Sequence, residues 1–363
     1  MSPNRCGISR NANMKITSFL AILLGLSGAN AGLIYKGVDW SSVLVEERAG
    51  VSYKNVNGKV QALERILIEN GVNTVRQRVW VNPGDGNYNL DYNIALAKRA
   101  KAAGLGLYID FHYSDTWADP AHQSIPSGWP TDIDNLSWKL YNYTLDAANR
   151  FQDAGIQPTI VSIGNEITVG LLWPTGKTNN WSNIARLLHS AAWGIKDSRL
   201  NPKPKIMVHL DNGWNWATQN NWYTNVLKQG AFTLSDFDMM GVSFYPFYST
   251  SASLDSLRSS LNSMARSWGK EVAVVETNWP TSCPNPKYSF PSDVKNIPFS
   301  AAGQATYVTN VANVVSSVSR GVGLFYWEPA WIHNANLGSS CADNTMFSQS
   351  GQALSSLSVF QRN

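Results

Sequence analysis

The chain is poor in charge, in thiols and in long apolar runs. Asp, Glu, Lys and Arg make up only 15% of its 363 residues, and no Lys/Arg run exceeds two. With residues 1–31 set aside, the charge balance falls from 29 − 25 = +4 to 26 − 25 = +1, because Arg5, Arg10 and Lys15 lie there and no acid does. A near-neutral chain has no electrostatic footprint for nucleic acid or an anionic membrane. A polyuronate would favour a basic groove, so a neutral polymer is the better match. The five histidines, at 112, 122, 189, 209 and 333, show no metal-ligand spacing. Neither a metal nor another cofactor is expected. No Gly-x-Ser-x-Gly elbow offers a serine nucleophile, and no Gly-rich phosphate loop follows any candidate strand.

The one conspicuous apolar stretch, Ile16 to Leu26, is too short to span a bilayer. With Lys15 before it and the small-x-small triplet Ala29-Asn30-Ala31 after it, the stretch reads as a secretory signal over residues 1–31. Met1 and Met14 are both possible starts. An extracellular protein beginning at Gly32 is expected, and Cys6 leaves with the signal. Cys283 and Cys341 then remain, an even number in an oxidising compartment, and a bond between them is expected. The sequons at Asn135, Asn142 and Asn180 are candidate glycosylation sites.

From Gly32 onward the chain repeats a strand-then-helix rhythm without a linker. Apolar, β-branched runs at 34–38, 74–79, 106–111, 159–163, 205–209, 239–244, 272–275 and 323–326 make eight strands. Helical patterns over 58–70, 92–103, 136–154, 184–197, 221–229, 254–268 and 302–320 separate them. Gly71, Gly104, Gly155, Gly230 and Gly321 are expected to close helices. Alternating βα units imply a parallel sheet, and eight of them a single (β/α)8 TIM barrel over 32–363. A doubly wound open sheet is the alternative.

Two carboxylates end such buried runs: Glu166 after 158–165, and Glu276 after 271–275. In a parallel barrel the carboxyl end of a strand opens into the ligand crevice. A Glu at a strand end is commonly a cap or an ion-pair partner. Two in one chain, the first preceded by Asn165, point instead to the acid and nucleophile of a retaining glycosidase. By the strand count they end strands four and seven, across the barrel mouth from one another.

Glutamates ending strands four and seven, the first preceded by Asn, mark the clan A glycoside hydrolases. Within that clan the chain resembles the family 53 endo-β-1,4-galactanases along nearly all of 32–363. The matching stretches are Gly37-Val38-Asp39-Trp40-Ser41, Arg76-Gln77-Arg78-Val79-Trp80, residues 110–120, Gly164-Asn165-Glu166 and Glu276-Thr277-Asn278-Trp279-Pro280. The resemblance implies that Glu166 is the acid/base and Glu276 the nucleophile. It also implies the fungal branch, because Cys283 and Cys341 stand in late loops where bacterial relatives carry calcium.

The same stretches supply the expected substrate-binding set of Asp39, Arg78, Asp110, His112, Trp117, Asn165, Asn278 and Trp279, with Tyr245 and Trp327 beside them. Asn165 is placed to donate to the sugar 2-hydroxyl, and Arg78 to hold Glu276 ionised. For Arg78, spacing alone equally allows a structural ion pair. Tyr245 is expected to bond the nucleophile, with ordinary half-burial as the other account. Of 15 tryptophans, Trp117, Trp129, Trp173, Trp279, Trp327 and Trp331 fall in strand-end loops, where indole rings suit the C–H face of a pyranose. Trp138, Trp193 and Trp268 fall in helical patterns and are expected to pack.

The function implied is a secreted, monomeric endo-glycosidase cutting β-1,4-galactan by double displacement. A clan A mannanase or cellulase, and a non-catalytic sugar-binding barrel, are the alternatives.

Overall fold

The computed structural model describes residues 32–362, so the signal expected over residues 1–31 lies outside the described residues. Eight parallel strands close on themselves: β1 (Tyr35–Asp39), β2 (Thr74–Val79), β3 (Gly106–Phe111), β4 (Ile160–Ile163), β5 (Lys205–Leu210), β6 (Met239–Ser243), β7 (Glu271–Glu276) and β8 (Gly321–Tyr326). β1 pairs in parallel with both β2 and β8, which closes the barrel. The helices are α1 (Val43–Arg48), α2 (Leu63–Glu69), α3 (Leu90–Ala103), α4 (Ile133–Asp153), α5 (Trp181–Asp197), α6 (Trp216–Lys228), α7 (Leu254–Trp268) and α8 (Ala301–Ser316). The TIM barrel expected from the βα rhythm is the observed fold.

Local chemistry explains the boundaries. Asn89, Asp132, Asn215, Ser253 and Ser300 each accept an amide hydrogen from the first turn of the following helix, which supplies one of its orphan donors with a partner. Gly104 and Gly269 close α3 and α7 in the left-handed conformation. Gly321 does not cap a helix as expected. α8 stops at Ser316, and Gly321 opens β8, where a Cβ would lie 1.8 Å from the Val315 carbonyl oxygen. The short α1 carries no long apolar period and was not anticipated.

Two packed layers result. Between strands and helices runs the main core, including Val75, Ile109, Leu140, Leu188, Val242 and Val311. Inside the barrel, Tyr35, Tyr108, Ile160, Met207, Met239, Ala273, Val275, Val322 and Phe325 form a second cluster. Gly37 makes room for it, since a Cβ there would fall 2.1 Å from the Phe325 ring. Trp268 packs on Trp216 and Tyr223 as expected, but Trp138 and Trp193 are 67% and 42% exposed. Their helical spacing located the element and not the face.

Inward positions turn polar toward the carboxyl ends of the strands: Asp39, Arg76, Asp110, Ser162, His209 and Ser243 are all buried. Glu276 joins them through a bulge. The β6–β7 register passes from Val242 opposite Val274 to Ser243 opposite Glu276, so Val275 is an extra residue. Val275 fills the interior and Glu276, its neighbour, also turns inward. Strict alternation would have sent Glu276 outward; a bulge re-aims it.

Candidate active site

At the carboxyl face of the barrel lies a cavity of about 610 Å³, and both Glu166 and Glu276 line it. Three residues past β4, Glu166 has φ +47°, a left-handed conformation uncommon for a residue with a Cβ. Glu276 is fixed from two sides. Its Oε1 accepts from Arg76 Nη2 at 2.7 Å, and its Oε2 accepts from the Tyr245 hydroxyl at 2.8 Å.

Arg76 is the centre of the buried network. Its Nη1 donates to Asp39 at 2.6 Å, and its Nη2 meets Asp110 at 2.6 Å, Asn165 Oδ1 at 2.8 Å and Glu276. Of the two accounts open for Arg78, the structural ion pair holds: Glu276 is met by Arg76, the inward position one step deeper on β2. Arg78 pairs instead with Glu328, at 2.5 Å. Alternation puts Arg76 and Arg78 on the same face, and nothing in their spacing tells the deep one from the shallow one.

Burial raises both catalytic candidates, but unequally. Glu276 is lifted by desolvation to about 7, against the pull of the Arg76 charge and the Tyr245 hydrogen bond. Glu166 is pushed well above the ordinary carboxylate range by desolvation, then by the charges of Glu276 and Asp211, with only a Ser243 hydrogen bond opposing. Among the described residues no cation pairs with Glu166. The pair therefore holds its protons unevenly: Glu166 is the harder of the two to ionise and Glu276 the easier.

The flanking groups are held as firmly. His112 accepts at Nδ1 from the Trp80 indole N–H (3.1 Å) and the Ala118 amide (3.2 Å). Its proton is therefore on Nε2, which faces Asp110 Oδ2 at 3.3 Å. Burial lowers its pKa, so the ring is neutral. The Asn165 amide nitrogen donates to the Ala118 carbonyl at 2.7 Å, leaving one N–H for a ligand in the cavity it lines. Behind Ser243, His209 Nε2 lies 2.9 Å from its hydroxyl.

Arg78, His112, Trp117, Asn165, Tyr245 and Trp327 line the cavity with the two glutamates. The remaining expected residues do not. Asp39 and Asp110 are fully buried partners of Arg76. Asn278 donates to the Trp327 carbonyl, and Trp279 packs on Tyr307 with its indole N–H on Pro298. These four support the site from beneath and beside it. The cavity also takes in Asp119, Asp211, Asn212 and Tyr248, which the sequence reading missed. Asp211 directly follows β5, the same signal that singled out Glu276. Trp117, Trp327 and Trp331 cluster, with centroids 6.2–6.5 Å apart, whereas Trp129 is buried against Tyr143 and Trp173 is covered by Lys177.

Cys283 and Cys341 are bonded and tie the loop after β7 to the loop after β8. Asn135, Asn142 and Asn180 are all exposed. Among the described residues, no three His, Cys, Asp or Glu side chains are grouped to hold a metal, and no helix is long and apolar enough to cross a membrane.

A (β/α)8 barrel whose mouth holds two glutamates of unequal acidity in one cavity is the architecture of a glycoside hydrolase. The comparisons agree. Residues 35–360 match the model of glycosyl hydrolase family 53, and the chain belongs to that family. It is similar to the arabinogalactan endo-beta-1,4-galactanases of Thermothelomyces thermophilus (84% identical over 330 residues, 91% of this chain and 99% of that protein) and Humicola insolens (83%, the same coverage). A solved fungal beta-1,4-galactanase, 84% identical, superposes with a TM-score of 0.91, covering 91% of this chain and all of that one. The Ignisphaera aggregans GH53 catalytic domain, 32% identical, gives 0.80, with 90% and 95% covered. A GH113 beta-1,4-mannanase, 15% identical with a TM-score of 0.54, shares the fold alone. The chain is thus an enzyme, a glycoside hydrolase.

Proposed function

We propose that this protein is a secreted, monomeric endo-β-1,4-galactanase that opens the galactan side chains of pectin, of the type I arabinogalactan kind, with retention of anomeric configuration. The observation that carries the chemistry is the asymmetry of the glutamates: Glu276 is held by a guanidinium and a phenol, and Glu166 is half-buried, facing the cavity with no cation paired to it among the described residues. In the first step a Glu276 oxygen attacks the anomeric carbon. The bond to the leaving sugar breaks, and Glu166 gives that sugar's oxygen its proton. In the second step Glu166, now a carboxylate, takes a proton from water. The water oxygen attacks the same carbon, and Glu276 departs as the anion. Asn165, with one N–H unspent, is set to bond the sugar 2-hydroxyl as oxocarbenium character develops.

The substrate assignment rests on relatives whose names specify arabinogalactan and the β-1,4 bond, and on a cavity in which Trp117 and Trp327 offer ring faces to a sugar. The axial 4-hydroxyl of galactose makes a 1,4-linked galactan coil, and a groove shaped to that coil rejects straighter chains. Release of short oligosaccharides from β-1,4-galactan, with a rapid fall in viscosity, is the expected result alongside β-1,3-galactan, mannan and cellulose. An inverted anomer as first product by nuclear magnetic resonance would overturn the nucleophile assignment, and faster cleavage of mannan or cellulose the substrate.

A further inference from the structure

Glu328 is a third buried glutamate beyond a strand end, two residues past β8, and neither the carboxylate pair nor the Arg76 network uses it. Its φ is +46°, and its side chain is 1% exposed. The carboxylate accepts from Arg78 Nη1 at 2.5 Å, from the Ser42 amide at 3.0 Å and from the Ser42 hydroxyl at 2.7 Å. The Ser42 oxygen in turn accepts from Arg78 Nη2 at 2.8 Å, which closes a triangle.

The guanidinium so held is boxed in aromatic rings. Its central carbon lies 4.2 Å from the Tyr88 centroid, 4.7 Å from Trp117 and 5.0 Å from Trp331. Trp117 and Trp331 are near-parallel, at 23° and 6.2 Å, and Trp327 stands edge-on to both. A guanidinium gains on a ring face only when it is kept there. Arg78 Nε is buried without a hydrogen-bond partner, and Asp39 approaches no closer than 3.9 Å. Glu328, with Ser42, is what holds the Arg78 guanidinium against the Tyr88, Trp117 and Trp331 rings at the edge of the cavity.

We propose that Glu328 is a positioning residue for the sugar-binding wall: acting through Arg78 and the Trp117–Trp331 ring contact, it sets Trp117, which lines the cavity, in the position that receives a neutral sugar chain. The inference rests on the reading of this cavity as a galactan groove.

The test compares Glu328→Gln and Ser42→Ala with wild-type enzyme on β-1,4-galactan and on an aryl β-galactobioside with an activated leaving group. Glu328→Gln is expected to raise KM for galactan by about tenfold with kcat within about threefold, since binding remote from the bond is lost. Ser42→Ala should move KM the same way by less. The pH–rate profile should stay in place, and the near-ultraviolet circular dichroism of the tryptophans should change. An equal fall in kcat on both substrates, or a displaced pH profile, would put Glu328 among the groups acting on the reacting carboxylates and overturn the inference. So would an unchanged galactan KM in folded Glu328→Gln. If that variant does not fold, Ser42→Ala decides, and an unchanged KM overturns the inference. Wild-type enzyme that leaves galactan intact would refute the galactanase reading instead; the same KM comparison is then made on whichever of mannan or cellulose it cleaves.

Discussion

Arg76 and Glu276, 200 residues apart in the chain, meet at 2.7 Å inside the barrel mouth, and the same guanidinium nitrogen also reaches Asp110 and Asn165. One cation thus couples the nucleophile candidate on β7 to the residue preceding the acid candidate, and its other nitrogen anchors Asp39 on β1. Desolvation works against the charges of Arg76, Asp110 and Glu276, and the shared guanidinium is what holds Asp110 ionised and limits the rise at Glu276.

Replacing Arg76 should therefore do more than remove one contact. Arg76→Met leaves three carboxylates facing one another in a buried site, and breaking a buried pair costs roughly 3–5 kcal/mol. A large fall in thermal stability is expected, together with loss of most turnover. Arg76→Lys keeps a charge but cannot fork to Asp39 and Glu276 at once, so kcat should drop about 100-fold in a protein that still folds. Calorimetry beside galactan kinetics checks both variants; near-wild-type kcat in Arg76→Lys would remove Arg76 from its role.

The pH–rate profile follows from the asymmetry. As the proposed nucleophile Glu276 has to be ionised, so activity should rise with pH as Glu276 loses its proton at about 7. Glu166 must keep its proton, and its pKa is raised further, so the alkaline limb lies above the acid one. The optimum should be neutral to alkaline. The Tyr245 hydroxyl donates to the Glu276 anion and lowers its pKa. Tyr245→Phe should accordingly move the acid limb to higher pH and leave the alkaline limb in place. A shift of the acid limb toward lower pH would contradict the assigned hydrogen bond.

Much of this site was legible before the structure. Five strand ends announced themselves by an apolar run halting at Asp39, Arg78, His112, Glu166 or Glu276, and all of these but Asp39 line one cavity. What stayed hidden lies in three dimensions only. The bulge at Val275 breaks the alternation that any sequence pattern assumes, so the inward turn of Glu276 has no signature in composition or period. The exchange between Arg76 and Arg78 is a matter of depth along one strand face. Trp279 and Trp327 both follow strand ends, yet Trp279 is buried against Tyr307 while Trp327 reaches the cavity. Asp211 was visible by the strand-end rule, but lacked the Asn-Glu context that drew attention to Glu166.

The acid candidate should cost the fold stability. In the unfolded chain Glu166 ionises near the ordinary carboxylate pKa of roughly 4.3, and in the folded state much higher. The folded protein thus binds more protons between these values, and its stability declines as pH rises through that window. Below the lower value both states are protonated and the penalty vanishes. Glu166→Gln abolishes the titration, so it should raise Tm by little near pH 4 and by more toward pH 8. Activity should collapse meanwhile, except for the first step on substrates with an activated leaving group. A Tm gain independent of pH would mean that burial of this carboxyl is not what perturbs it.

The Cys283–Cys341 bond closes a loop of 58 residues, worth about 4 kcal/mol in the chain-entropy account. Part of the junction survives without it. The Thr281 amide donates to the Asp343 carbonyl at 2.7 Å and the Ala342 amide to the Ser282 carbonyl at 2.9 Å, so the reduced loops remain paired and the loss should be smaller. The functional consequence lies in the loop after β8, which carries Asn334, Leu337 and Gly338 on the cavity wall. Replacing both cysteines by Ser should lower Tm by several degrees and raise KM for galactan. Turnover of a short activated galactoside should hold, because Glu276 and its partners lie on strands or directly after them. Equal Tm and KM in the oxidised and Ser forms would show that the paired backbone alone fixes the wall.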